Sequence, residues 1–174
     1  IDKKELEKGS SNTAIPFSLD IFSNDIEQRL DNLAHRVIES DNIIFTGVGS
    51  SGLICDYAAR RLAGVGINTF SFSDVTYPIA SKLQNTTNTL VIALSISGET
   101  NEIIEVLTSL RSNKDVYISC ITPKLNSSIA ELSDFVLTYR INEHRINTHY
   151  DLTSQLPTVY LTERLTDLVY QLSN

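Results

Sequence analysis

Between residues 43 and 137, five short runs rich in Ile, Val, Phe and Thr alternate with stretches whose apolar residues recur at helical spacing. The runs are Ile43–Thr46, Ile67–Phe72, Thr89–Leu94, Val116–Ile121 and Phe135–Leu137. Two parallel strands cannot be joined by a tight turn; the chain must cross back over the sheet, usually through a helix. The alternation therefore predicts an α/β fold, a doubly wound five-stranded parallel sheet with helices on both faces. The third run, Thr89-Leu90-Val91-Ile92-Ala93-Leu94, is apolar at successive positions, which marks a central strand covered on both sides. At 174 residues the chain has room for one such domain, the usual range being about 100–200.

The intervening segments carry their own signals. Ile26, Leu30, Leu33, Val37 and Ile38 predict a helix with one buried face ahead of the first strand, and Asn24 with Glu27 resembles a capping box at its start. Helical patterns follow the first strand as far as Ala63, where Gly64 and Gly66 end them, and the third strand, through Ile103, Ile104, Leu107 and Leu110. Shorter helices are expected between Pro78 and Leu83 and between Ser127 and Leu132. A last amphipathic helix carries Leu161, Leu165, Leu168, Val169 and Leu172, with Pro157 in its first turn. Residues 1–20 read as a linker or N-terminal extension, with Gly9-Ser10-Ser11-Asn12-Thr13 at its centre, and residues 21–174 as the folded domain. Residues 141–152 are polar and show no period.

Open parallel sheets bind ligands beyond the carboxyl ends of their strands, at the point where strand order reverses. In the order 2-1-3-4-5 that crevice lies between strands 1 and 3. Both of those strands run into Ser/Gly-rich loops that open helices, and a helix N-terminus attracts phosphate through its free N–H groups and partial positive charge. Ser95, Ser97 and Thr100 place three hydroxyls within six residues, and Gly98 lets the backbone approach closely. Such a loop can ring a phosphate with neutral donors, without any Lys or Arg. Taken singly, Ser97 or Thr100 could equally be a helix cap. The first loop, Gly47-Val48-Gly49-Ser50-Ser51-Gly52, also fits the G-x-G-x-x-G pattern of dinucleotide sites, with Asp74 22 residues beyond Gly52. A long helix ahead of the first strand and a hydroxyl-rich loop after the third are not called for by an NAD site.

Gly47-Val48-Gly49-Ser50-Ser51 and Ser95-Ile96-Ser97-Gly98-Glu99-Thr100 resemble the two signature loops of the SIS (sugar isomerase) domain family. The resemblance runs from about residue 25 to the C-terminus. It implies the flavodoxin-like strand order 2-1-3-4-5 and a phosphorylated sugar as ligand. By it, Ser95, Ser97, Gly98, Glu99 and Thr100 form the phosphate site, and Gly49, Ser50 and Ser51 the sugar site. It also implies a homodimer or tetramer with sites near subunit contacts.

The chain as a whole is most similar to the C-terminal effector domains of RpiR-type transcriptional regulators, in which one SIS domain follows a helix-turn-helix domain. That similarity implies a phosphosugar sensor with no catalytic residues, touching DNA only through a helix-turn-helix domain missing from these residues. The chain contains no Met, as expected of a processed chain or an excised fragment. Its net charge of −7 and pI near 4.9 make these residues themselves a poor match for a phosphate backbone. A stand-alone aldose–ketose isomerase is the alternative. Small isomerases of the family place a Glu near the start of the last helix, where this chain has Leu156-Pro157-Thr158; Glu163 lies about two turns further in and reads as a solvated residue. Of three His, His35 falls on the polar side of the first helix, and His144 and His149 are candidates to reach a site, their own or a neighbouring subunit's. Their five-residue spacing does not suit a metal, and no metal or cofactor is expected. Cys55 and Cys120 lie in apolar segments without metal or CxxC spacing and read as buried thiols. No apolar run approaches the ~20 residues of a membrane span and no signal-peptide pattern opens the chain, so the expected location is the cytoplasm.

Overall fold

The computed structural model describes residues 17–148 and 150–174; the Gly9–Thr13 linker and His149 lie outside them. A 14-residue helix, α1 (Ile26–Glu39), leads into β1 (Asn42–Thr46), α2 (Ser50–Gly64) and β2 (Thr69–Phe72). Then come α3 (Ile79–Lys82), β3 (Thr89–Leu94), α4 (Asn101–Leu110), β4 (Val116–Ile121), α5 (Ser128–Leu132), β5 (Phe135–Leu137) and α6 (Leu156–Ser173). The five strands are parallel throughout, in the order β2-β1-β3-β4-β5. Both the fold class and the strand order expected from the sequence are therefore present.

The pleat sorts side chains into two cores. Ile43 and Phe45 of β1, with Leu90, Ile92 and Leu94 of β3, face one way and pack against Leu30, Leu33 and Val37 of α1, Cys55 and Leu62 of α2, and Leu161, Leu165 and Val169 of α6. Ile44, Val91 and Ala93 face the other way, against Ile79 of α3, Ile103 and Leu107 of α4, and Ile129 of α5. All six residues of β3 are buried, as the uninterrupted apolar run requires.

Several boundaries differ from expectation for identifiable reasons. Asp25, not Asn24, is the N-cap of α1, and it makes no side-chain cap bond. Glu27 is not free to complete a capping box: its carboxylate accepts from Arg164 Nη2 at 2.9 Å and Nε at 3.1 Å, tying α1 to α6. β2 begins at Thr69 because Gly66 and Ile67 still finish the previous helix, their N–H groups donating to Ala63 O and Leu62 O. Ser127 caps α5 from outside, its hydroxyl accepting from Ala130 N.

Cys55 and Cys120 lie in opposite cores, both fully buried. Burial pushes the Cys120 thiol up to about 11, against a smaller lowering by the Ser133 hydroxyl. Burial, with the nearby Asp56 charge, also raises Cys55. Thiolate is the reactive form. The folded protein is therefore expected to resist an aromatic disulfide reagent at pH 8 and to release both thiols only on denaturation. Rapid labelling of native protein would contradict this burial.

Candidate functional site

The carboxyl ends of β1 and β3 lie side by side, Thr46 being paired with Ala93. Each strand turns at once into a helix, so two helix N-termini open at the same place. At the first, Gly49 is the N-cap, with φ +59°, a left-handed conformation that glycine adopts without strain. Gly52 N and Leu53 N donate back to Val48 O and Gly49 O, whereas the N–H groups of Ser50 and Ser51 find no acceptor among the described residues. At the second, Thr100 is the N-cap of α4 and its carbonyl accepts from Ile103 and Ile104. The N–H groups of Thr100, Asn101 and Glu102 are likewise without an acceptor among the described residues.

The loop between β3 and α4 is held by its own hydroxyls. Ser95 Oγ is buried, accepts from Gly98 N at 3.0 Å and lies 2.9 Å from Thr100 Oγ1. Ser97 Oγ accepts from Glu99 N at 3.1 Å. The Glu99 carboxylate turns away to the start of α5, where it accepts from Ser128 N at 2.8 Å and Ser128 Oγ at 2.7 Å. Those two bonds, the hydroxyl's the larger, hold its carboxyl below the usual range. Ile129 N donates to Gly98 O at 3.1 Å from the same helix, so α5 braces the loop from behind.

Between the two loops lies an open cleft of about 340 Å³. Gly49, Ser50, Ser51, Ser97 and Thr100 line it, which brings five of the eight site residues named from the sequence to one surface. Ser95, Gly98 and Glu99 do not line it and instead shape the loop that does.

The far wall comes from the segment the sequence left patternless. His144 O accepts from Leu152 N at 2.7 Å and Tyr150 O from Ile146 N at 2.8 Å, so residues 144–146 pair with residues 150–152, with an antiparallel bridge between Arg145 and Asp151. Arg145, Tyr150, Asp151 and Leu152 all line the cleft. A ring of purely neutral donors, without any Lys or Arg, is thus not what the structure builds: Arg145 stands in the wall, its Nη2 2.8 Å from Asp151 Oδ2. Burial alone would raise the Asp151 carboxyl; the hydroxyl and N–H of Thr153, with the Arg145 and His144 charges, outweigh it and hold the group low. Gln155, the N-cap of α6, donates from Nε2 to Ser51 Oγ at 3.1 Å and Ser50 Oγ at 3.3 Å. Its Oε1 is buried with no partner among the described residues.

The remaining candidates lie elsewhere. His144 faces a different, larger hollow with Asp20, Arg140 and Asn142. His35 is exposed on α1, 2.9 Å from Asp31 O. Glu163 accepts from the Tyr57 hydroxyl between α6 and α2. Asp74, the acidic residue of the dinucleotide pattern, spends its carboxylate on Thr76, accepting from Oγ1 at 2.6 Å and N at 2.9 Å. Among the described residues, no group of His, Cys, Asp and Glu could hold a metal, and no helix is long and apolar enough to cross a membrane.

Fold and cleft together define a doubly wound α/β domain in which two helix N-termini, with Ser50, Ser51, Ser97 and Thr100, border one crevice. A family model described as the SIS domain matches residues 37–162, and the chain belongs to that family. An HTH-type transcriptional regulator of Clostridium perfringens is 24% identical over 170 residues, 95% of this chain and 60% of that protein. A 3-hexulose-6-phosphate isomerase of Bacillus subtilis is 28% identical over 110 residues, 63% of this chain and 56% of that one. The chain thus spans little more than half the length of these curated relatives. Among solved structures, the sugar isomerase domain of an RpiR transcription factor from Sphaerobacter thermophilus superposes with a TM-score of 0.71 at 17% identity, covering 87% of this chain and 80% of that one. The Vibrio vulnificus NanR protein complexed with ManNAc-6P superposes at 0.69 with 22% identity, covering 83% of this chain and 54% of that one.

Proposed function

We propose that this chain is the phosphosugar-sensing effector domain of a helix-turn-helix transcriptional regulator. One observation carries the reading: the N-termini of two helices, whose first N–H groups have no acceptor among the described residues, and the hydroxyl-bearing Ser51, Ser97 and Thr100 meet at one cleft beyond β1 and β3. Phosphate oxygens accept from such donors, and each helix end adds a partial positive charge of about half a unit. In this reading Ser97 and Thr100 hold the phosphate on a loop shaped by Ser95, Gly98 and Glu99. Gly49, Ser50 and Ser51 meet the sugar. The regulator relative, similar over nearly the whole chain, and the likeness to a protein, NanR, described in complex with ManNAc-6P support a sensor. DNA contact then belongs to a helix-turn-helix domain elsewhere in the longer protein, which works in the cytoplasm as a homodimer or tetramer. Sugar phosphate shifts that assembly only by binding one of its arrangements more tightly than another.

The isomerase relative sustains a second reading. Moving a proton between neighbouring carbons needs a base within about 3 Å of it. Among the described residues Asp151 is the carboxylate lining this cleft, and it is paired with Arg145; Gln155, bonded to Ser51, carries an amide that accepts no proton. Both features favour binding over turnover.

A thermal-shift panel of sugar phosphates, their free sugars and NAD, followed by turnover assays with arabinose 5-phosphate and hexulose 6-phosphate, tests the proposal. A sugar phosphate at about 100 times its dissociation constant should add about 2.7 kcal/mol of stability, with no response to the free sugar and no turnover. Steady turnover would make the chain an isomerase, and stabilisation by NAD alone would remove the phosphosugar reading.

A further inference from the structure

We infer that Arg145 is the charge-recognition residue of this cleft for the ligand's phosphate, and that Asp151 occupies its guanidinium until that phosphate arrives. The inference rests on the phosphosugar reading and extends it to a residue outside both Ser/Gly loops.

Charge balance is the first ground. A phosphate monoester carries about −1.5 to −2 at neutral pH. Two helix N-termini offer about half a positive unit each, which leaves the anion undercompensated by about half to one charge. Arg145 is the one cationic side chain lining the cleft among the described residues. It lines the same cleft as Ser97 and Thr100.

Geometry is the second. Asp151 is fixed independently of Arg145: its Oδ1 accepts from Thr153 N at 2.9 Å, and Thr153 Oγ1 in turn accepts from His144 N at 2.8 Å. Arg145 commits one of its five N–H donors, through Nη2, to Asp151 Oδ2. The guanidinium is therefore aimed by an anchored carboxylate, while the rest of its fork has no acceptor among the described residues and can meet a second anion. An entering phosphate competes with Asp151 for Arg145, and Asp151 lowers affinity for the anion while keeping Arg145 at its post.

This arrangement predicts opposite signs for two neutralising substitutions. Titrations of the full chain, by calorimetry, use inorganic phosphate and the sugar phosphates of the panel above. Arg145→Gln should weaken both kinds of probe roughly 10- to 100-fold, the worth of a charge-assisted hydrogen bond, and flatten the salt dependence of binding. Asp151→Asn, whose side-chain oxygen can still take Thr153 N, should tighten both several-fold. A purely structural ion pair would make both variants bind more weakly, together with a drop in melting temperature, and that result overturns the inference. So does Arg145→Gln binding as well as wild type. If wild-type protein binds no probe, the phosphosugar reading fails first and this inference with it. If wild type binds and Arg145→Gln is unaffected, only the role of Arg145 falls.

Discussion

Replacing Gly98 with Ala should cost the domain about 2–4 kcal/mol and abolish ligand binding at the cleft. Gly98 has φ +67°, a left-handed conformation that costs an L residue about 1–2 kcal/mol. A Cβ there would sit 2.3 Å from Ser127 Oγ and 2.4 Å from Ser127 Cβ. Ser127 cannot step aside cheaply. It is buried, its hydroxyl donates to Lys124 O at 2.7 Å, and the same oxygen caps α5 by accepting from Ala130 N. The loop would have to move instead, giving up the bonds from Gly98 N to Ser95 Oγ and from Ile129 N to Gly98 O. For a domain of this size each kcal/mol lowers Tm by about 2–4 °C, so calorimetry resolves the effect easily. An unchanged Tm with intact binding would mean that the loop does not take the shape described above.

The paired substitution Ser97→Ala and Thr100→Ala should weaken sugar-phosphate binding by at least ~100-fold, since each removes a hydrogen bond to a charged group. Here the fold should survive. Ser97 Oγ accepts one N–H at the loop surface, and Thr100 makes no side-chain cap bond to α4. The bond that closes the loop, from Gly98 N to Ser95 Oγ, remains. Tm is expected to fall by only a few degrees, and the far-ultraviolet dichroism spectrum to stay as it is. The contrast with Gly98→Ala is diagnostic: one change destroys the shape of the loop, the other its donors. Unchanged affinity in the doubly substituted protein would move the phosphate site elsewhere.

Much of this architecture was legible in the sequence, because its signals are local. The apolar run Thr89–Leu94 and the helical spacing of Ile103, Leu107 and Leu110 depend on near neighbours alone, and both appear where they were expected. Both Ser/Gly-rich loops likewise face the cleft, because the chain order of strands and helices places them there. The far wall was not legible. Arg145 and Asp151 meet across an irregular turn that leaves no period, and Gln155 reaches Ser51 over 104 residues. Asn24 and Glu27 misled for the same reason. Arg164, 137 residues away, takes Glu27, and a local motif holds no trace of a competitor that distant.

The inner position of β1 in the sheet has a consequence for how the protein is made. β1 is flanked by β2 and β3, and its partner residues Asn42 and Thr89 stand 47 apart in sequence. On the ribosome, β1 and β2 emerge and can pair before β3 has left the exit tunnel. In that interval the inner edge of β1, with Ile43, Ile44 and Phe45, is an unpaired apolar strand of the kind that recruits other chains. Its natural cover arrives only when Thr89–Leu94 clears the exit tunnel. The strand that carries half of the cleft is thus the one whose inner edge a stalled chain leaves open, and pauses after β1 has left the tunnel but before β3 has followed it are the ones that expose that edge to misassembly.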